Sequence, residues 1–494
     1  MKFVDRKREL RTLDDFYTGP GAALLVLYGR RRVGKTSLLS HWVERTFTGD
    51  RQQQSIYWTA TTQSADYQLG DFSRTLAAND PRRSEAPSPN FTLQSWEEAF
   101  RYLAELAQLR SQQGPLVVIL DEFTYLVQSD PDIVGILQRV WDRVLSKSPH
   151  ARLILSGSLV GIMEDKVLSA QSPLYGRAQN HIRLRPLEFG ALHELFPTWT
   201  PDARVAVHAV CGGVPAYLDF FVRAGKFDRG LLDYGLAPNS IMLTDAALLL
   251  NERLDDSHVY ESVISAIASG YHEWKEIATM SHVSDGSLGH YLQTLQAYEL
   301  IKRVQPVGAG KGNRQGHYYV NDAFLRFYYR FIVPNRTAIQ RGMLGRTVQT
   351  IIEDLRSFIG TYVFEELCRD WVLVHAEQGK LGWLPEEYGS YWRQYRGQSV
   401  QLDVVALSQR AKRVLIGESK WGEHMVGNSV LESLLERSKR MPQVTAEGWT
   451  TEYVVFSRAG FTGTAIATAK IKKIRLVTLD EVEQAHIQMV DAQR

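Results

Sequence analysis

The sequence predicts an α/β protein: a parallel sheet wrapped by helices, then a helical lid, a winged helix-turn-helix and a second α/β unit in the last third. Three observations predict it. Buried strands alternate with helical stretches over roughly the first 200 residues. A glycine-bounded octet joins one of those strands to a helix, and strands that carry acids appear again at 401–407 and 413–421.

The first strand is Ala22 to Tyr28, the octet is Gly29-Arg30-Arg31-Arg32-Val33-Gly34-Lys35-Thr36, and the helix continues from Ser37 to Val43. The octet fits the phosphate-binding pattern G-x-x-x-x-G-K-[ST] at every fixed position. Glycines let the backbone turn tightly enough for successive N–H groups to cradle phosphates; Lys35 reaches the β- and γ-phosphates and the Thr36 hydroxyl coordinates magnesium. The helix opening at Ser37 aims its positive dipole end at the same anions. Gly29, Arg30, Arg31, Arg32, Val33, Gly34, Lys35, Thr36 and Ser37 are therefore the candidate residues for a nucleoside triphosphate.

Such a site needs a hydrophobic strand that ends in acid, and Leu116-Val117-Val118-Ile119-Leu120-Asp121-Glu122 supplies it. Asp121 is the candidate magnesium ligand and Glu122 the group that polarises the attacking water, so the two segments together point to hydrolysis. The competing reading is a buried strand that ends in solvated acids. Ser55 to Ala60 and Arg152 to Ser158 read as further strands, and the Pro- and Ser-containing stretch 79–90 as an exposed loop. Within Ser172-Pro173-Leu174-Tyr175-Gly176-Arg177, Arg177 sits on a loop from which it reaches a phosphate in its own site or a neighbour's, unless it makes a surface salt bridge.

At 494 residues the chain holds about three or four domains. It is 44% hydrophobic and 23% charged, and no apolar run is long enough to span a bilayer. The charged N-terminal segment argues against export, and two distant cysteines, Cys211 and Cys368, fit a reduced cytoplasmic compartment. The net charge of +2 conceals a local excess: Ile301 to Arg346 contains nine Lys or Arg and a single acid, Asp322. There Arg326, Arg330, Arg336, Arg341 and Arg346 are interleaved with Phe327, Tyr328, Tyr329 and Phe331, a candidate polyanion surface or else a solvated face.

Five motifs now stand in one order. They are Phe3 to Leu10, Leu27 to Thr36, Leu120-Asp121-Glu122-Phe123, Leu174-Tyr175-Gly176-Arg177 and Gly212-Gly213-Val214-Pro215-Ala216-Tyr217-Leu218. Together they resemble the archaeal-type ATPase family within the STAND class, over about the first 220 residues. The resemblance implies ATP as the nucleotide, with the Phe3 and Arg6 region beside the adenine. It implies that Gly213-Val214-Pro215 lies in the lid and couples nucleotide state to domain arrangement. It also implies that a polar residue at the tip of the 152–158 strand, Ser156 or Ser158, senses the γ-phosphate.

Past the lid, Tyr260 to Ile267, a helix starting at Trp274 and a helix from Ser284 to Tyr298 are followed by a basic, glycine-rich stretch between two short strands. This is the pattern of a winged helix-turn-helix, with Ser284 as the third helix's N-cap. The third helix offers Asp285, Ser287, His290, Gln293 and Thr294, polar but not basic, so base reading is not evident. Lys302, Arg303, Lys311 and Arg314 are the candidate contacts to nucleic-acid phosphates, DNA being the expected polymer. A plain spacer is the alternative.

In the last third, Glu418 and Lys420 project from one face of the strand Arg413 to Trp421, because side chains alternate. If that strand pairs with Gln401 to Leu407 as a hairpin, Asp403 reaches the same face. Asp403 and Glu418 would then bind magnesium, Lys420 would activate water, and Glu365 on the preceding helix is a possible third ligand. Helix, Asp strand, Glu-x-Lys strand, helix, strand resembles the core of PD-(D/E)XK nuclease-like domains, a restriction-endonuclease-like α/β fold. The strand acid lacks the preceding proline and sits in Gln401-Leu402-Asp403. A degenerate fold kept for binding is the alternative.

The expected division is 1–200 P-loop ATPase, 201–253 lid, 254–335 winged helix and 336–494 nuclease-like domain. The expected function is an ATP-hydrolysing switch that regulates a magnesium-dependent deoxyribonuclease, able to assemble as a homo-oligomer, away from membranes, with defence against foreign DNA as one setting. The alternative is an ATP-driven signalling or scaffolding switch whose last domain binds nucleic acid or protein without cutting. Nothing in the sequence identifies the trigger.

Overall fold

The computed structural model describes residues 2–251, 257–310, 316–395 and 398–492. Two compact units emerge: one is residues 5–186 with 214–216, the other residues 2–4 and 187–213 with the chain from 217 onward. The first break thus falls near 187, where the sequence suggested 200, and 187–213 gather with the later residues instead of with the P-loop sheet.

In the first unit, β1 (Ala23–Tyr28), β2 (Ser55–Thr59), β3 (Leu116–Asp121), β4 (Ala151–Gly157) and β5 (Ala178–Arg183) form one sheet in the order β2-β3-β4-β1-β5. Every pairing is parallel. β1, β3 and β4 are buried along their whole length, which is why they read as continuous apolar runs and not as alternating strands. A cluster of Trp58, Phe72, Trp96 and Phe100 closes one face. The helix Trp96–Leu109 that supplies two of those rings starts where the Ser95 hydroxyl accepts the Glu98 N–H. The order places β4 between β1 and β3, so the tips of all three meet at one sheet edge.

In the second unit, after the short helix Leu192–Leu195, comes the helix Pro201–Cys211, which has proline at its first position and ends at Gly212 in the left-handed region. Later come the helices Ser257–Ala268, Trp274–Ser281 and Asp285–Ala297, then an antiparallel hairpin of β6 (Ile301–Val304) and β7 (His317–Val320). Ser284 does precede the third helix, but its hydroxyl donates to Ser287 Oγ at 2.9 Å and makes no capping bond to the backbone. A capping box of Glu273 and Glu276 opens the second helix. Lys311 and Arg314 lie outside the described residues.

Of the basic stretch expected as a polyanion surface or a solvated face, Arg330, Arg336, Arg341 and Arg346 are exposed, while Arg326 and the aromatic residues are drawn inside. Phe327, Tyr328, Tyr329 and Phe331 are core residues, and Arg326 is buried, donating to the Val320 and Tyr362 carbonyls and pairing with Glu366. Aromatics at this spacing bury themselves, and the cation among them is drawn in to satisfy backbone carbonyls.

A second sheet, in the order β12-β11-β10-β9-β8, contains β8 (Glu387–Tyr395), β9 (Gln398–Ser408), β10 (Arg413–Lys420), β11 (Thr450–Ser457) and β12 (Ile474–Thr478). β9 and β10 are the antiparallel hairpin that the sequence suggested, with Val404 opposite Gly417; β10, β11 and β12 run parallel. The helices Asn428–Ser438 and Gly463–Lys472 cover this sheet through Leu431, Leu434, Ala465 and Ala469. Among the described residues no helix is long and apolar enough to cross a membrane.

Candidate functional site

The phosphate loop is shaped by close approaches. A Cβ on Gly29 would lie 2.3 Å from the Leu184 carbonyl oxygen, and Gly34 sits at φ +100° with Pro215 of the Gly-Val-Pro element 3.8 Å from where its Cβ would be. Lys35, only 5% exposed, donates from Nζ to the carbonyls of Gly29 at 2.9 Å and Arg30 at 3.3 Å, which holds its ammonium inside the loop. Thr36 and Ser37 are exposed at the start of the helix Lys35–Thr46.

At the end of β3, Asp121 Oδ2 accepts the Thr36 hydroxyl at 2.9 Å and the Tyr57 hydroxyl at 2.6 Å, while Oδ1 accepts the Glu122 N–H. The buried carboxylate and the Thr36 hydroxyl are two hard oxygen donors converging from separate elements, a set suited to magnesium. Burial and the adjacent Asp121 push the Tyr57 hydroxyl well above its ordinary pKa, so Tyr57 stays a proton donor. Tyr57 is absent from the sequence reading because only the pairing of β2 with β3 brings it to Asp121.

Glu122 adopts the left-handed region at φ 51°, and its Oε2 accepts the Ser158 hydroxyl at 2.6 Å and the Ser158 N–H at 3.3 Å. Of the two serines at the tip of β4, Ser158 is therefore the one that touches the candidate water-polarising residue. Ser156 points its hydroxyl into the interior. Arg177 makes a fork with Asp142, both bonds 2.7 Å long, and no contact joins it to the phosphate loop.

The second constellation lies where β9 and β10 pair. Asp403 and Glu418 are 8% and 3% exposed on neighbouring strands. Asp403 Oδ2 accepts the Ser419 N–H at 3.1 Å, Glu418 Oε1 lies 2.6 Å from Lys420 Nζ, and Glu418 Oε2 lies 2.8 Å from Arg437. Glu365, at the start of the helix Glu365–Glu377, pairs with Arg369, which also donates to the Asp403 carbonyl at 3.0 Å. Burial, then the neighbouring Glu418 charge, raises the Asp403 pKa; burial, then Asp403, raises that of Glu365. Three mutually repelling carboxylates in a buried place are a donor set that suits a hard divalent cation.

That set is not closed into a ligand cage: among the described residues no three His, Cys, Asp or Glu are gathered as metal ligands. Asp403 and Glu418 are adjacent on paired strands, and Glu365, close enough to feel the charge of both, is turned onto Arg369. Arg437, at the flank of an apolar helix face, had no motif to mark it. Lys302, a candidate phosphate contact, is instead paired with Glu366 at 2.6 Å; burial opposes that carboxylate's charge, but Arg326 and Lys302 hold it down at about 2. Arg303 is exposed on β6, with the Tyr318 ring 6.0 Å from its guanidinium carbon.

Residues 3–219 match an ATPase domain predominantly from Archaea, and residues 328–433 match a family of archaeal and bacterial proteins of unknown function. The uncharacterized protein MJECL04 of Methanocaldococcus jannaschii is 30% identical over 420 residues, which are 85% of this chain and 87% of that protein. The chain belongs to that protein's family. A shorter match joins 42 residues, 8% of this chain and 71% of the other, at 50% identity to the uncharacterized ATP-binding protein MJ0423 of the same organism. Among solved structures, the Walker-type ATPase PABY2304 of Pyrococcus abyssi aligns at TM-score 0.48 and 20% identity, over 66% of this chain and 96% of that one. The ORC2 protein of Aeropyrum pernix aligns at 0.44 and 15%, over 69% and 97%. The archaeal-type ATPase resemblance drawn from the motifs is borne out, and this family member is a P-loop ATPase with a separate C-terminal α/β sheet.

Proposed function

We propose that ATP bound at Lys35 and Thr36 controls a metal-dependent nuclease built on Asp403, Glu418 and Lys420. The observation that carries the reading is the pairing of β9 with β10, which sets two buried carboxylates side by side with a lysine from the same strand 2.6 Å from one of them. Magnesium at Thr36 and Asp121 would neutralise the triphosphate, and Glu122, positioned by Ser158, would orient the attacking water. At the second site Asp403 and Glu418, with Glu365 once released by Arg369, would hold a divalent cation that polarises a phosphodiester. Lys420 would then stabilise the added negative charge.

Residues 254–335 are read as a winged helix that sets the substrate's approach, DNA being the proposed polymer. The protein is read as a cytoplasmic switch that self-associates, with Arg177 exchanging Asp142 for a neighbouring subunit's phosphate and with defence against foreign DNA as the setting. A second reading, binding without cutting, draws on the ion pairs from Lys420 and Arg437 that already neutralise Glu418.

The test is incubation of plasmid and linear DNA with magnesium or manganese, with and without ATP, beside Lys35→Ala and Asp403→Ala. Lys35→Ala should lower ATP hydrolysis on the order of a hundred-fold or more. Cleavage that disappears in Asp403→Ala and changes in Lys35→Ala is the expected result. ATP hydrolysis with no cutting under any of these conditions would move the binding reading ahead.

A further inference from the structure

The second unit contains a cavity of about 580 Å³ whose walls come from two distant stretches of chain. One wall is the hairpin of β6 and β7, with Lys302, His317 and Tyr319; the other is β8 with Trp392, the Glu365 and Arg369 turn, and Gln401, two residues before Asp403. Glu365 itself lines the cavity, and Gln401 shares a face of β9 with Asp403 two residues on. Its size is that of a pocket for one small ligand, whereas a duplex presents a major groove about 12 Å wide and 8.5 Å deep by itself.

Its lining suits a base and its phosphate. The His317 ring lies flat on the Trp392 indole, centroids 4.4 Å apart and planes 12° apart, and His272 lies against Tyr319, also at 4.4 Å. The two ring pairs form the ledge that lines the cavity, one face of each ring being taken by its partner. Beside it Lys302, Arg326 and Arg369 face three acids of the lining, Glu365, Glu366 and Asp370: Lys302 pairs with Glu366 across the two walls, Arg326 with the same acid, and Arg369 with Glu365. The Lys302–Glu366 pair also ties the hairpin to the helix that bears Glu365, and His272, bonded to Tyr318 of β7, contacts the Tyr362 hydroxyl at 3.1 Å in the turn before that helix.

We infer that this cavity receives a single unpaired nucleotide, so that the strand presented to Asp403 and Glu418 is single-stranded or a frayed end, not intact duplex. The base stacks on the Trp392 ledge and its phosphate is led past Lys302 and Arg369 toward the β9–β10 carboxylates. Closed duplex is excluded while the hairpin stays tied down. The inference deepens the nuclease reading and rests on it for the fate of the strand, but binding can be measured without cutting.

The experiment uses the full-length Asp403→Asn variant in EDTA, with fluorescein-labelled oligo-dT, oligo-rU and a closed dumbbell duplex of equal charge, read by anisotropy and by tryptophan quenching. One of the single strands should bind at least ten-fold tighter than the dumbbell. Adding Trp392→Ala should weaken single-strand binding about ten-fold, as loss of one base–aromatic stack does, and Trp392→Phe should restore most of it. Equal binding of dumbbell and single strand, or single-strand binding that Trp392→Ala leaves unchanged, overturns the inference. If the preference is found while wild-type protein cuts nothing with magnesium or manganese, the cavity stands and the nuclease reading falls.

Discussion

Ser158 and Glu122 show what a single contact adds to a motif. Glu122 is held by Ser158 Oγ at 2.6 Å on a backbone at φ 51°, so its carboxylate is aimed by a neighbouring strand and not by its own. Glu122→Gln should keep ATP binding and lower the hydrolysis rate about a hundred-fold in a steady-state assay, the usual scale for losing a positioned base. Ser158→Ala should fall between wild type and that variant; a Glu122→Gln protein that hydrolyses normally would remove Glu122 from the chemistry. His375 carries a second residue-scale expectation. It stacks on Trp371 and donates Nδ1–H to the Trp371 carbonyl at 3.0 Å; burial holds its pKa down at about 4 against that bond, which favours the cation, with Arg475 and Lys380 adding to the effect and Glu481 opposing it. The unfolded chain takes up this proton near pH 6.5 and the folded chain only near 4, so stability falls as pH drops through that window and not below it. Thermal unfolding of His375→Gln should lose less stability than wild type between pH 7 and 4, by on the order of 1–2 kcal/mol. At this scale the sequence was legible wherever chemistry dictates residue type at fixed spacing, as at Lys35, Asp121 and Glu418. Tyr57 and Arg437 were not, because their partners are set by which strands and helices become neighbours.

Elements joined across long sequence separations are the part that no local pattern announces. The helix Pro201–Cys211 and the C-terminal helix Leu479–Ala492 are locked by Arg204 and Glu483, a two-bond ion pair at 2.5 and 2.6 Å with both side chains 5% exposed, and a Cβ on Gly190 would lie 2.2 Å from the His486 carbonyl oxygen. Arg204 also donates to the Phe196 carbonyl. Read along the chain, the first of these helices belongs to a lid and the last to a separate domain; only contacts between distant residues gather 187–213 with the chain from 217 onward. The β9–β10 hairpin, by contrast, was legible because a short turn between two consecutive apolar strands leaves few other pairings. Glu483→Ala strands a buried guanidinium and should cost roughly 3–5 kcal/mol in denaturant unfolding. The Arg204→Met, Glu483→Leu pair removes both charges and should recover most of that loss. A single variant as stable as wild type would mean that the pair is solvated in solution.

For the whole molecule, two units with separate cores raise the question of whether nucleotide energy reaches the carboxylate sheet. The first unit is held by the cluster around Trp58, Phe72 and Trp96, the second sheet by Leu402, Val405, Ile416 and Val455 among others, so each can unfold in a transition of its own. A ligand that binds only the folded first unit stabilises it by about 2.7 kcal/mol at a hundred times its dissociation constant. If the units were energetically independent, calorimetry with ATP and magnesium would move one transition and leave the other where it stood. A switch requires more, because ATP can redirect the second unit only by the difference in its affinity for two arrangements of the chain. We therefore expect both transitions to shift with ATP and magnesium in the wild type, and neither in Lys35→Ala. The second shift should shrink in Glu483→Ala, where the helix Pro201–Cys211 is uncoupled from the last helix of the sheet. A second transition that ignores nucleotide in every variant would leave the ATPase and the carboxylate site as two activities on one chain.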